Sequence, residues 1–316
     1  MVVLLHMSAN SFYSQGENWG YSLLFDSLSR SCVPLFFMLS GSLLLTKNEN
    51  AFSFYKKRLT KVAIPLLFWS YVYLLYIKFY IGKTDQSLSP AVIINGPVYY
   101  HLWFMYSIIS VYIFVPILRF YCMNADKYLK LLILSIFIFS QSIQQYSGLF
   151  GVDLSIGIDI AFISRFFGFF LLGEFLTTHK PRLSNTWLAI GFIISTALTS
   201  YFTHKITIES GSPNETWFQY NSPFVIISSI CLYLYLISVK NKSGKVISTV
   251  SNMSFGIYFI HIIIMQQLVV RFFFTPERFN SDYLPVLIPI STIACLGIST
   301  LIVLFISKIP YLRKVV

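Results

Sequence analysis

Apolar stretches follow one another along almost the whole chain, each closed by a short polar cluster. They fall at 21–46, 62–81, 99–121, 129–147, 159–177, 186–204, 223–239, 246–270 and 284–307, after a shorter one from Met1 to about Asn10. Most hold about 17–25 residues, the length that crosses about 30 Å of hydrocarbon at about 1.5 Å per residue. Interior prolines (Pro34, Pro116, Pro289) do not oppose this reading, because neighbouring helices in a membrane bundle re-satisfy the backbone groups they free. The pattern predicts an all-α integral membrane protein of about ten transmembrane helices, the first too short to span, forming a single polytopic domain over residues 1–316. The longest connections, 82–98 and 205–222, are polar and rich in Pro, Gly, Ser and Asn.

Composition agrees. Hydrophobic residues make up 56% of the chain and charged residues 11%, against roughly 25% charged in soluble domains. So few charges could not cover a water-facing surface, whereas a lipid-facing one needs none. The net charge of +11 raises nucleic acid as a partner, but the positions of the charges exclude it. With a cytoplasmic start, the inner loops hold 16 of the 23 basic residues, among them Lys56, Lys57, Arg58, Lys61, Arg119 and Lys130. Five lie outside: Lys78, Lys83, Lys205, Arg271 and Arg278. That bias obeys the positive-inside rule and predicts a cytoplasmic C-terminus. The four cysteines (Cys32, Cys122, Cys231, Cys295) lie in or at the ends of apolar stretches without paired-ligand spacing, so neither disulfides nor a metal site is expected. Met1–Leu5 is apolar at once, so no cleavable signal is expected.

Two basic residues, Arg30 and Arg165, remain inside predicted spans. Each costs about 2.5–3.5 kcal/mol at the bilayer centre on insertion scales, so each must face the bundle interior or water. Asp26 stands four residues before Arg30, on the same helical face, where the two can pair. This is either an ion pair that makes insertion tolerable or part of a substrate or proton route; the second is the stronger reading. His6 in the first helix, Arg165 and His261 in the ninth share a compatible depth with Arg30 and suggest one polar cavity. His101 opens the fourth helix beside Trp103, where anchoring and function are equally good readings. Glu174, near the cytoplasmic end of the sixth helix, reads as a snorkelling or solvated group, His179 and His204 read as solvated helix-end groups, and Ser40-Gly41 reads as close helix packing rather than a nucleophile. Lys56, Lys57, Arg58 and Lys61 read as topology and headgroup contacts, or as a landing site for an anionic cofactor bearing phosphates. No phosphate-binding Gly-rich loop or His-Glu zinc helix is present in the sequence.

These segments in their order resemble the membrane acyltransferase 3 family, in particular its sugar O-acetyltransferases of the enterobacterial common antigen type. The matching stretches are Leu5-His6, Ser29-Arg30 through Val33-Pro34-Leu35-Phe36-Phe37 to Ser40-Gly41, and Phe54-Tyr55-Lys56-Lys57-Arg58-Leu59 with Ile64-Pro65. Further on come His101-Leu102-Trp103-Phe104, Val115-Pro116, Arg165-Phe166 leading to Leu172-Gly173, and Ser254-Phe255-Gly256-Ile257-Tyr258 with His261. Residues 122–158 and 178–245 add only hydropathy. The family's first helix carries an Arg well before its His; here Met1 stands five residues before His6, so the resemblance implies a first helix truncated at its N-terminus. Either the start is placed too late or this copy is impaired, and the short stub favours the first.

The resemblance implies a multi-pass protein of the bacterial inner membrane. It would move an acetyl or other acyl group from cytoplasmic acetyl-CoA (or another acyl-CoA) to a hydroxyl of a cell-surface or lipid-linked carbohydrate, with no metal. His6 would be the general base, and Arg30 would stabilise the tetrahedral charge or orient the donor. Asp26, His101, Trp103, Arg165 and His261 would shape the cavity, and Lys56, Lys57, Arg58 and Lys61 would meet acyl-CoA phosphates. The rival reading is a transporter of a sugar or lipid-linked glycan, since a buried ion pair and intramembrane histidines suit proton coupling equally well. The oligomeric state is left open.

Overall fold

The structure is a computed structural model, and it describes residues 1–146, 166–239, 244–273 and 282–316. Among these residues every regular element is helical. Seven helices are long and apolar enough to cross a membrane, and Phe167–Thr178 is a shorter apolar helix. The all-α membrane architecture follows.

In chain order the helices are α1 (Val2–Ser14), α2 (Gly20–Ser29), α3 (Cys32–Leu44), α4 (Ala51–Leu75), α5 (Pro90–Asn95), α6 (Trp103–Asn124) and α7 (Lys127–Tyr146). Then come α8 (Phe167–Thr178), α9 (Asn185–Ser210), α10 (Pro223–Ser238), α11 (Lys245–Ile264), the turn α12 (Arg271–Phe273) and α13 (Leu284–Ser307). Several bounds depart from the hydropathy reading, each for a local reason. The stretch 21–46 is interrupted at Arg30–Ser31, because Pro34 has no N–H to give the Arg30 carbonyl. α4 starts at Ala51 rather than 62, since Asn50 accepts from the Phe52 and Ser53 amides as an N-cap. With its π-helical continuation to Tyr80 it runs 30 residues, about 45 Å and more than the hydrocarbon needs. α9 runs on to Ser210, where Gly211 ends it in the left-handed conformation (φ 64°). The predicted loop 82–98 contains α5, and the first part of the predicted helix 159–177 lies outside the described residues.

The chain folds into two compact units. The first comprises Met1–Thr46, Leu118–Lys242 and Ile263–Leu296. Within it α1 packs on α2, α2 on α9, and α9 on α10, while α3 lies tightly against α8. Two glycines make that last approach possible. A Cβ on Gly41 would come within 1.8 Å of the Phe170 carbonyl oxygen, and one on Gly173 within 1.9 Å of the Met38 carbonyl oxygen. Each glycine faces the backbone three residues from the other, so the two helices touch along their main chains, as small residues permit in membranes. The packing expected of Ser40-Gly41 is therefore present. Ser31 and Ser228 hydroxyls meet at 2.9 Å and tie α10 to the α2–α3 interruption.

Charges expected in inner loops are partly buried in this unit. Arg119 Nε donates to the Leu44 carbonyl at 2.7 Å and satisfies an end group of α3. Lys130 and Glu174 form a 2.9 Å ion pair with 8% and 5% side-chain exposure. This corrects the expectation that Glu174 snorkels or is solvated: the pair brings two charges together on facing helices, α7 and α8.

The second unit comprises Lys47–Ile117, Ser243–Ile262 and Gly297–Val316. Aromatic hydroxyls and an indole stitch it to backbone carbonyls. Tyr73 donates to Phe259 (2.7 Å), Trp69 to Val315 (2.8 Å), and Tyr106 to both Ile93 and Gly96. Such bonds serve carbonyls that lipid could not satisfy.

Candidate active site

The first unit carries a charged array around Arg30. The α2–α3 interruption sets Arg30 at the end of one helical segment, and Asp26, one turn earlier, receives its Nε at 2.6 Å. The i,i+4 pair expected from the sequence is thus formed. A second carboxylate was not foreseen: Glu215, from the α9–α10 connection, accepts from Arg30 Nη2 at 3.1 Å. The Arg30 guanidinium also lies over the Phe218 ring, 4.2 Å from its centroid. Asp26 is fully buried and Arg30 nearly so, whereas the Glu215 side chain is 31% exposed. One cation therefore meets two anions, and Nη1 has no acceptor among the described residues. Phe12, Leu23 and Phe218 form the apolar floor, with Trp19 packed against it.

α1 supplies His6. The helix puts His6, Asn10 and Tyr13 at i, i+4 and i+7, on one face. His6 is half-buried, and Asn10 reaches the Met265 sulfur at 3.9 Å. Tyr13, about 10 Å further along the axis, brings its phenol beside Glu215. A histidine and a fixed guanidinium thus belong to packed helices of one unit.

The second unit holds the other two predicted histidines. His101 lies in a 3-10 turn, Tyr100–Leu102, just before α6, and it is 2% exposed. His261 lies in α11 and is fully buried. Their rings meet edge to face, 5.6 Å between centroids. Tyr73, Tyr99 and Tyr258 surround His101 at 5.0–5.9 Å. The Tyr258 hydroxyl donates to the His101 carbonyl at 2.6 Å and pins the turn to α11. His261 Nδ1 lies 2.7 Å from the Tyr258 carbonyl and 3.1 Å from that of Ile257. Carbonyl oxygens only accept, so Nδ1 carries the proton and Nε2 of the neutral ring is the basic nitrogen. Trp103 is half-buried at the start of α6, against Phe104. Both helices that flank this cluster pass into π-helical turns, Tyr76–Tyr80 after Tyr73 and Met265–Val270 after His261.

Lys56, Lys57, Arg58 and Lys61 fall on the first turns of α4, not in a loop. Lys56, Lys57 and Lys61 are exposed, and Lys57 pairs with Glu49 at 2.9 Å. Arg165 lies outside the described residues. His204 is not at a helix end; it is an exposed residue of α9 stacked on Trp19 at 5.0 Å. His179 does end α8, stacked on Phe175. The structure thus brings Asp26 and Arg30 together in one unit and His101 and His261 together in the other, each pair gaining aromatic or acidic neighbours from distant segments.

No curated protein and no solved structure matches the chain. A family model described as an acyltransferase domain matches residues 1–308, nearly the whole length. With its apolar helices and that match, the chain is a multi-pass membrane acyltransferase and belongs to the acyltransferase 3 family.

Proposed function

We propose that this acyltransferase moves an acetyl or other acyl group from cytoplasmic acyl-CoA to a hydroxyl of a cell-surface or lipid-linked carbohydrate. Its setting is a bacterial inner membrane, with the C-terminus cytoplasmic as the positive-inside bias favours. The observation that carries this reading is the α1 face, which runs from His6 to Tyr13 and meets Glu215 of the Arg30 array. Neutral imidazole at His6 takes the proton as the acceptor oxygen attacks the thioester carbon. The carbonyl oxygen gains charge, and Arg30 is the fixed cation that meets it. Asp26 and Glu215 hold two of the guanidinium nitrogens, so the third faces a developing charge without reorganising. Collapse expels the CoA thiolate, which takes the proton back from His6. The exposed lysines of α4, with Arg58, meet the phosphates of the donor. His101, Trp103 and His261, which belong to the second unit, and Arg165 are proposed as further substrate-contacting residues.

The transporter alternative has no structural observation of its own, and membership of an acyltransferase family favours covalent transfer. Mass spectrometry of surface polysaccharide tests the reading. Cells carrying the wild type show an added acyl mass that cells carrying inserted His6→Ala lack. Equal acylation in the two would overturn the base assignment.

A further inference from the structure

Glu215 and Tyr13 have no part in the electron movements above, yet they are the groups of the Arg30 array that remain open to a ligand. The Glu215 side chain is 31% exposed and Tyr13 is 55% exposed, while Arg30 and Asp26 behind them are buried. The carboxylate is held in one place: Oε1 is taken by Arg30 Nη2, and the Tyr13 phenol lies beside it. Its connection is fixed too, because Tyr146 donates to the Thr216 carbonyl at 2.8 Å and Asn214 caps the turn through the Thr216 amide at 3.0 Å. Below lie the buried rings of Phe12 and Phe218, with the Trp19–His204 stack alongside. A preset acceptor, a phenol that both donates and accepts, and an aromatic surface are what a polyhydroxylated ring needs. A carboxylate can accept from vicinal hydroxyls and a phenol can meet a third oxygen, while the half-buried Trp19, rather than the fully buried Phe12 and Phe218, is the ring available to a C–H surface.

From this juxtaposition we propose that Glu215 and Tyr13 form the subsite that binds the carbohydrate acceptor and directs its hydroxyl along the α1 face toward His6. The proposal rests on the carbohydrate reading above and adds the residues that recognise the acceptor. It also gives Glu215 a double duty: the carboxylate that orders Arg30 is the one the acceptor touches, so acceptor binding and the oxyanion cation are mechanically linked.

The test uses the full chain in proteoliposomes, with labelled acetyl-CoA as donor and methyl hexosides, methyl N-acetylhexosaminides and a glycan extract of the host envelope as acceptors. Tyr13→Phe and Glu215→Gln are expected to raise the acceptor KM about tenfold or more, with the donor KM unchanged. Tyr13→Phe keeps the ring and the Arg30–Glu215 pair, so it reads recognition even where Glu215→Gln loosens the fold. If the wild type acylates carbohydrate and both variants keep its acceptor KM, the subsite is wrong and the wider reading stands. A parallel change in both substrates' KM would show a structural role and also overturn it. A wild type that labels no carbohydrate would overturn the wider reading, and the subsite with it.

Discussion

Gly41→Ala adds one methyl group where two helices meet along their backbones. Its Cβ would lie 1.8 Å from the Phe170 carbonyl oxygen, 2.7 Å from the carbonyl carbon and 3.0 Å from the α-carbon. Ordinary van der Waals separation begins near 3.4 Å, so the shortfall to the oxygen is about 1.6 Å. No side-chain rotation relieves it, because the clashing atoms are main chain. α3 and α8 must part, and the neighbouring approach of Gly173 to Met38 opens with them. Overpacking of this kind costs about 1–3 kcal/mol, and a main-chain clash belongs at the upper end. Thermal unfolding in detergent should show the midpoint lowered by roughly 2–8 °C. Gly173→Ala should do the same, and the double variant should lose less than the two losses added, since one separation relieves both clashes. Gly297→Ala in α13 is the control: nothing lies within 4 Å of its added Cβ, so no loss is expected. An unchanged midpoint for Gly41→Ala, or full additivity in the double variant, would refute the close approach of these helices.

Three further outcomes follow from other parts of the fold. Lys130→Met strands the buried Glu174 carboxylate and should cost about 3–5 kcal/mol, whereas Lys130→Met with Glu174→Leu should recover most of it; denaturation midpoints of the three proteins decide. Gln15 ends α1 in the left-handed conformation (φ 47°), so Gln15→Gly should be more stable than Gln15→Val by about 1–2 kcal/mol, read as the difference in melting midpoint. His261→Asn keeps a side-chain N–H near the Tyr258 and Ile257 carbonyls but lacks Nε2; it should melt as the wild type does and lose acyl transfer, and retained transfer would leave His261 a purely structural role.

Hydropathy alone locates nearly all the described helices, because lipid imposes length and apolarity on each segment independently. The Asp26–Arg30 pair is legible for a similar reason: both partners lie on one turn of one helix. The same holds for Gly41, whose lack of a side chain next to Ser40 announces close approach without naming the partner. What is not legible comes from distance along the chain. Glu215 lies 185 residues from Arg30, in a connection that reads only as polar. A buried arginine with one carboxylate beside it is the sole hint of a second anion nearby. Glu174 reads as snorkelling or solvated because Lys130 belongs to another helix, and no periodicity couples α7 to α8. Hydropathy starts α4 too late because its first turns are charged; the Asn50 cap and the helical placement of Lys56–Lys61 are available signals that hydropathy overrides. The two predicted histidines of the second unit are found by type, but the tyrosines around His101 come from three separate segments and carry no signature of their own.

The central claim is that His6 serves as the base for acyl transfer from acyl-CoA to carbohydrate, on a helix packed against the one that carries Arg30, whose guanidinium is held by Asp26 and Glu215. Its most direct test is transfer of label from acetyl-CoA to glycan by the purified chain in proteoliposomes, wild type against His6→Ala. The account predicts label in the glycan with the wild type and a loss of at least about a hundredfold with an equally inserted His6→Ala. Transfer by His6→Ala at the wild-type rate would contradict it.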